Sequence, residues 1–452
     1  MSATLKRALR ATRRLGRVAG YVAAHPAEAL SKAEAHLALA ATRGGTEQYT
    51  QYRDGLPSIA PLNLRADPAL AARPRLNVLL PGMAMKAMSG GPNTLVNLVC
   101  RMAHEGVPVR FISTDIPMDV DHGPLRRHFA SLTGLPEGDS DIEITCGFDR
   151  ARPLPIGEND VFFASAWWNV QMIKHALPLV RAKRFLYIIQ DFEPGLYAWS
   201  TEYALALETY GLDYHAVLCG TFLAHFMTTQ GIGRFADPGF IDRCAVFEPA
   251  LDATRFRPEP PAPGRPRRLV FYARPQAARR NMFELGLYAL RCASETGLFD
   301  GERWEFLFFG EQLPEVDLGR GNVIRSAPWL DYDGYAAMLR SSDVGLSLML
   351  SPHPSYPPLE LAACGAIAVT NTFMTKTAPM FAAVSSNIVA VEPSLEGVLG
   401  GLREAVARVR AERRDTAPIR MPSDWSDAFA QTLPTAIGWW RTLQHELGTG
   451  VA

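Results

Sequence analysis

From Leu76 onward, short apolar runs alternate with longer amphipathic stretches, the texture of βαβ units that build parallel sheets. In the first half the runs predict strands at Leu76–Leu80, Val107–Ile112, Val161–Ala164, Phe185–Ile189, Ala216–Cys219 and Ala245–Phe247. Helical spacing falls between them, at Asn93–His104, Val170–Leu179, Glu202–Tyr210 and Phe222–Thr229. The proline-rich stretch Pro258–Pro266 then breaks the pattern and reads as a semi-rigid linker. Beyond it the alternation restarts, with strands expected at Leu269–Tyr272, Phe306–Phe309, Val323–Arg325, Val344–Leu348, Ile367–Thr370 and Ile388–Val391. Helices are expected at Met282–Glu295, Tyr332–Ser341, Leu359–Cys364 and Leu395–Arg413. The pattern predicts an α/β protein of two doubly wound halves sharing a site at the carboxyl ends of their strands. The divisions read as a basic helical extension and linker (1–74), a first sheet domain (75–257), a second (267–415) and a C-terminal helical segment (416–452) that could return to the first domain.

Composition narrows the class without naming a reaction. The chain has 452 residues, 48% hydrophobic and 20% charged, as expected of a globular enzyme in two domains. Lys plus Arg and Asp plus Glu balance at 46 each, so no global field points to nucleic acid. The cysteines Cys100, Cys146, Cys219, Cys244, Cys292 and Cys364 are scattered singly, which argues against a metal site or a disulfide framework. That usage and the lack of 18 consecutive apolar residues point to the cytoplasm. Lys6, Arg7, Arg10, Arg13, Arg14 and Arg17 lie among apolar residues, with no acid before Glu28. This segment reads either as a solvated basic tail or as a peripheral contact with an anionic membrane surface through residues 1–20.

Three segments carry candidate chemistry, each just past a predicted strand. Gly90 and Gly91 close the first-half loop Pro81–Pro92 and open a helix, where free N–H groups suit a phosphate or oxyanion. Arg274, Arg279 and Arg280 follow the first strand of the second half; guanidinium groups there would hold a diphosphate leaving group without a metal. The stiff loop Ser351–Pro357 leads, through Tyr356 and Pro357, to a helix bearing Glu360, whose carboxylate can accept two hydroxyl hydrogen bonds. Each has a plainer reading: a flexible turn, a solvated basic turn and a helix-dipole partner. Asp191 and Glu193, after another strand, would orient an acceptor hydroxyl, and as a lone pair they are weak metal ligands. Trp167-Trp168 is either core or a sugar platform.

Taken together, these residues resemble family 4 glycosyltransferases of GT-B architecture, over residues 76–415. That family's second domain carries GR-x-x-x-x-K after a strand and later E-x7-E, whose second Glu opens a Pro-Pro-Leu-Glu helix. Arg274 matches the Arg, Arg279 stands where the Lys is expected, and Glu360-Leu361-Ala362-Ala363-Cys364-Gly365 matches the second Glu and its helix. The resemblance implies that Arg274 and Arg279, beside Arg280, hold the diphosphate while Glu360 binds the nucleoside sugar. It places Gly90 and Gly91 near donor and acceptor, and Ala327-Pro328-Trp329 at the base, with Tyr356 and Pro357 completing the donor set. Arg274, Arg279, Asp191 and Glu193 form the expected catalytic set. The first Glu of E-x7-E would fall at Pro352 and is absent.

The stretches Ser351–Gly365, Gln190–Gly195 and Phe271–Asn281 more closely resemble WsaF-type bacterial rhamnosyltransferases. That resemblance implies transfer of L-rhamnose from dTDP-L-rhamnose to a saccharide or lipid-linked saccharide acceptor of a cell-surface glycan. No metal and no cofactor beyond the donor substrate are expected. UDP- or GDP-hexose transfer, a non-catalytic saccharide-binding subunit and a GT-B-shaped sugar-nucleotide epimerase remain as alternatives.

Overall fold

The computed structural model describes residues 59–445 apart from 89, 119–120, 139–140 and 276–278. Residues 1–58, with the basic segment, lie outside the described residues; within the rest of the helical extension and linker expected over 1–74, Leu64–Ala66 is instead a short strand paired in parallel with Leu154–Ile156. Two seven-stranded sheets follow one another along the chain. The first runs in spatial order Ile142–Cys146, Val109–Ser113, Leu76–Leu80, Val161–Ala164, Phe185–Ile189, Tyr214–Cys219 and Cys244–Phe247, with every pairing parallel. Successive side chains point to opposite faces, and both faces are covered: Leu76, Val78 and Leu80 enter one core while Leu79 enters the other. The strands therefore read as continuous apolar runs.

The second sheet has the order Val316–Gly319, Asn322–Ser326, Trp304–Gly310, Arg267–Ala273, Val344–Leu346, Ile367–Asn371 and Ile388–Val391, and only the edge pair at Val316 is antiparallel. Leu269, Phe271 and Ala273 face one core and Val270 the other. Asp343, fully buried, binds Arg265 at 2.6 Å and the Arg268 backbone N–H at 2.7 Å, and also pairs with Arg414. It thereby ties the proline-rich linker to the base of this sheet. The C-terminal helix Thr432–Leu443 packs Ala436, Ile437, Trp440 and Leu443 into a core of the first sheet. Trp439 stacks on His215 with ring centroids 4.7 Å apart.

The α/β architecture with two parallel-sheet domains is the one the pattern predicts; the details differ at edges and loops. Two edge strands, Ile142–Cys146 and Val316–Gly319, were not expected, because each buries a single side chain and leaves no apolar run. Helices at Gly123–Thr133 and Ala378–Val384 were likewise missed. The strand expected at Val344–Leu348 stops at Leu346, and the helix expected from Leu359 begins at Tyr356, with prolines in its first turn.

Candidate functional site

The first-domain side of the site is built from strand ends. After Leu76–Leu80 the chain reaches Gly90, whose φ of +51° and ψ of −121° suit glycine alone, and turns into the helix Gly91–His104. A Cβ on Gly91 would stand 3.0 Å from Gln190 Oε1, so the missing side chain lets the two loops meet. After Phe185–Ile189 come the two acids, and the structure separates them. Asp191 is half-buried and points across to the second domain, where the Ser351 hydroxyl donates to its Oδ1 and Arg280 Nη2 lies 3.3 Å from its Oδ2. Glu193 is buried within the first domain and accepts the Tyr187 hydroxyl, and burial pushes its carboxyl up to about 8. Tyr210 braces the turn: Glu193 N–H donates to its hydroxyl at 3.1 Å.

On the second-domain side, Arg274 leaves the end of Arg267–Ala273 half-buried, its Nη1 donating to the Tyr272 hydroxyl at 3.3 Å. Arg279 and Arg280 share one 3-10 turn with Asn281, Arg279 facing solvent and Arg280 facing Asp191. Leu350 N–H donates to the Arg280 carbonyl at 2.8 Å, and Asn281 Nδ2 donates to the Leu348 carbonyl at 2.9 Å, clamping this turn to the loop that follows Val344–Leu346.

That loop is rigid. Ser355 adopts φ +69°, unfavourable for a side chain, and its N–H donates at 3.0 Å to His353 Nδ1. Nδ1 can accept only in the neutral ring, so Nε2 carries the proton; burial depresses this histidine to about 4. The helix Tyr356–Ala363 then presents Glu360, whose carboxyl accepts the Tyr335 hydroxyl and is pushed up to about 7 by desolvation while keeping partial solvent exposure. At the helix start Tyr356 reaches the first domain, its hydroxyl 3.9 Å from Cys219 Sγ and hydrogen-bonded with Thr94; Pro357 is buried beside it.

The structure thus brings Gly91, Asp191, Arg280 and Tyr356 into one interdomain contact region, with Arg274 past the adjoining strand end. Glu193 is withdrawn into the first domain, and Arg279 is turned to solvent. Ala327 is buried with its carbonyl accepting Gln312 Nε2 at 2.9 Å, and Trp329 stands out at 90% exposure. Of the two readings for Trp167, core and sugar platform, the structure gives core, its indole N–H on the Tyr197 hydroxyl at 3.0 Å. Trp168 is tied to Asp115 Oδ2 at 2.8 Å.

One participant escaped the sequence reading. Lys376 is fully buried, with Nζ donating to the Met349 carbonyl at 2.8 Å and 3.5 Å from that of His353, and burial pushes it down to about 7. It holds the loop over the site from below; a single lysine in Asn371–Thr377 offers no periodic signal for that burial. Among the described residues no group of three or more His, Cys, Asp or Glu could hold a metal ion. No helix among them is long and apolar enough to cross a membrane.

Two family models align with this frame: the WsaF N-terminal domain over residues 75–219 and the WsaF C-terminal domain over residues 267–403. The chain belongs to the WsaF family of glycosyltransferases. A curated relative, "O-antigen biosynthesis protein RfbC" of Myxococcus xanthus, is 35% identical over 248 residues, 55% of this chain and 18% of the relative's length. The chain therefore spans under a fifth of that protein. Among solved structures, Anabaena Alr3699/HepE in complex with UDP-glucose superposes with a TM-score of 0.50 at 11% identity, covering 81% of this chain and 99% of that one. Sucrose-phosphate synthase from Thermosynechococcus elongatus gives a TM-score of 0.48 at 11% identity, over 83% and 98%. The fold is GT-B.

Proposed function

We propose that this WsaF-family chain transfers a hexosyl unit, L-rhamnose from dTDP-L-rhamnose, to a saccharide acceptor during surface-polysaccharide synthesis. The observation that carries this reading is the pairing of two donor features on the second domain with a carboxylate on the first. Arg274 and Arg280 stand beyond one strand end and Glu360 lies mid-way along the helix Tyr356–Ala363 beyond another, while Asp191 reaches over from the opposite sheet. A diphosphate leaving group gains negative charge as the glycosidic bond breaks, and fixed guanidinium groups stabilise that charge without a metal. Glu360 would accept hydroxyls of the nucleoside sugar, and Asp191 a hydroxyl of the acceptor.

The printed name of the Myxococcus xanthus relative supports the polysaccharide context, and HepE with its bound UDP-glucose supports a sugar nucleotide as donor. The choice of rhamnose and thymidine rests on the sequence resemblance of Ser351–Gly365, Gln190–Gly195 and Phe271–Asn281. The acceptor is read as a saccharide, free or lipid-linked. The test is a thermal-shift panel of dTDP-L-rhamnose, UDP-glucose and GDP-mannose, followed by transfer assays with the stabilising donor. Stabilisation by dTDP-L-rhamnose with transfer of its sugar supports the reading; stabilisation by another donor alone reassigns the specificity.

A further inference from the structure

Where the domains meet, one carboxylate serves several basic groups. Asp191 Oδ1 receives the Ser351 hydroxyl and, at 2.8 Å, its own neighbour's Phe192 N–H. Its Oδ2 lies 3.3 Å from Arg280 Nη2, and both side chains are largely shielded, at 15% and 31% exposure. The buried Arg280 Nε has no partner among the described residues. Behind it lies the buried amine of Lys376, beside the neutral ring of His353. A single negative charge from the first domain thus faces the Arg280 guanidinium presented by the second. A diphosphate brings more charge and more acceptor oxygens to the same guanidinium.

We propose that Asp191 is an internal placeholder for the donor's diphosphate. Without donor, its carboxylate neutralises Arg280 and, through Ser351, ties the first domain to the second. When a nucleoside diphosphate arrives, its phosphate oxygens take over Arg280. The freed carboxylate turns to accept a hydrogen bond from the acceptor hydroxyl. The acceptor is oriented only after the donor has bound, which keeps water from an armed carboxylate in the empty enzyme. Arg280 and Ser351 are then positioning residues for Asp191. This inference rests on the sugar-nucleotide reading above.

The distinguishing consequence is a gain. Removing the placeholder charge removes a competitor for Arg280, so Asp191→Asn should bind nucleoside diphosphate more tightly than the natural protein while transferring more slowly. The experiment is calorimetric titration of the full chain with dTDP, UDP, GDP and ADP. Asp191→Asn should tighten the best of these by about five- to tenfold, the weight of one partly shielded ion pair. Ser351→Ala, which loosens the carboxylate without touching its charge, should tighten it by about twofold. In an Arg280→Ala background the Asp191→Asn gain should vanish. Equal or weaker binding by both Asp191→Asn and Ser351→Ala overturns the placeholder while leaving the donor reading intact. If the natural protein binds none of the four nucleotides, the donor reading itself falls. Melting curves identify a variant that fails to fold, in which case the other variant carries the test.

Discussion

Glu360 allows stability and function to be driven in opposite directions by one atom exchange. Desolvation raises its carboxyl from 4.5 to about 7, so the folded protein favours the protonated acid. The sign follows from linkage: the folded value lies above the unfolded one, so stability is greatest below about pH 4.5, falls as pH rises towards 7, and levels off above that. The shift corresponds to about 3 kcal/mol at alkaline pH, taking about 1.4 kcal/mol per unit. Glu360→Gln keeps the shape and can still accept the Tyr335 hydroxyl, but carries no charge to desolvate. Denaturant melts of both proteins should coincide near pH 4.5 and diverge by about 3 kcal/mol at pH 8, with the glutamine variant the more stable. At pH 8, where the natural carboxyl is ionised, the same variant should bind dTDP-L-rhamnose about tenfold more weakly, because a neutral amide replaces a charged acceptor of sugar hydroxyls. Parallel melting profiles across pH 4.5–8 would refute the desolvation argument, and unchanged donor affinity would refute the role of Glu360 as a sugar ligand.

Other substitutions separate neighbouring roles. Glu193→Gln should keep most transfer activity at pH 7, since the buried carboxyl already holds its proton there; a hundredfold loss in kcat would instead make Glu193 a working base. Gly90→Ala should destabilise the protein by about 1–3 kcal/mol in thermal melts, since φ +51° with ψ −121° is hostile to a side chain, and an unchanged melt would mean that the loop relaxes freely. Chelator should leave turnover intact, because Arg274 and Arg280 supply fixed positive charge; strict dependence on Mg²⁺ contradicts that assignment.

The architecture was legible because buried parallel strands are apolar on both faces, so Leu76–Leu80 and Phe185–Ile189 announce themselves as uninterrupted runs. Edge strands escape the same reading: in Ile142–Cys146 only Ile144 is buried, and nothing in the string distinguishes it from a loop. Candidate chemistry was visible where unusual residues follow a strand, as with Arg274 and Glu360. What the sequence could not rank was direction. Asp191 and Glu193 stand two apart, and which one faces the other domain is decided by Tyr187 and Tyr210, whose hydroxyls engage the Glu193 turn from within the first domain. Likewise the string leaves Trp167-Trp168 open between core and platform, and the Tyr197 hydroxyl that holds the first indole in the core is what decides it. Lys376 is buried only because the loop Met349–His353 folds its carbonyls over it, a tertiary fact with no local signature.

In the proposed transferase, guanidinium groups past the opening strand of the second domain grip the pyrophosphate of a sugar nucleotide. Comparing dTDP with dTMP isolates the contact, because the two differ by the terminal phosphate alone. Calorimetry on the natural protein should show dTDP binding at least tenfold more tightly than dTMP, and Arg274→Ala with Arg280→Ala should bring the two affinities together. Equal affinities in the natural protein, or a preference that survives both substitutions, would contradict the account.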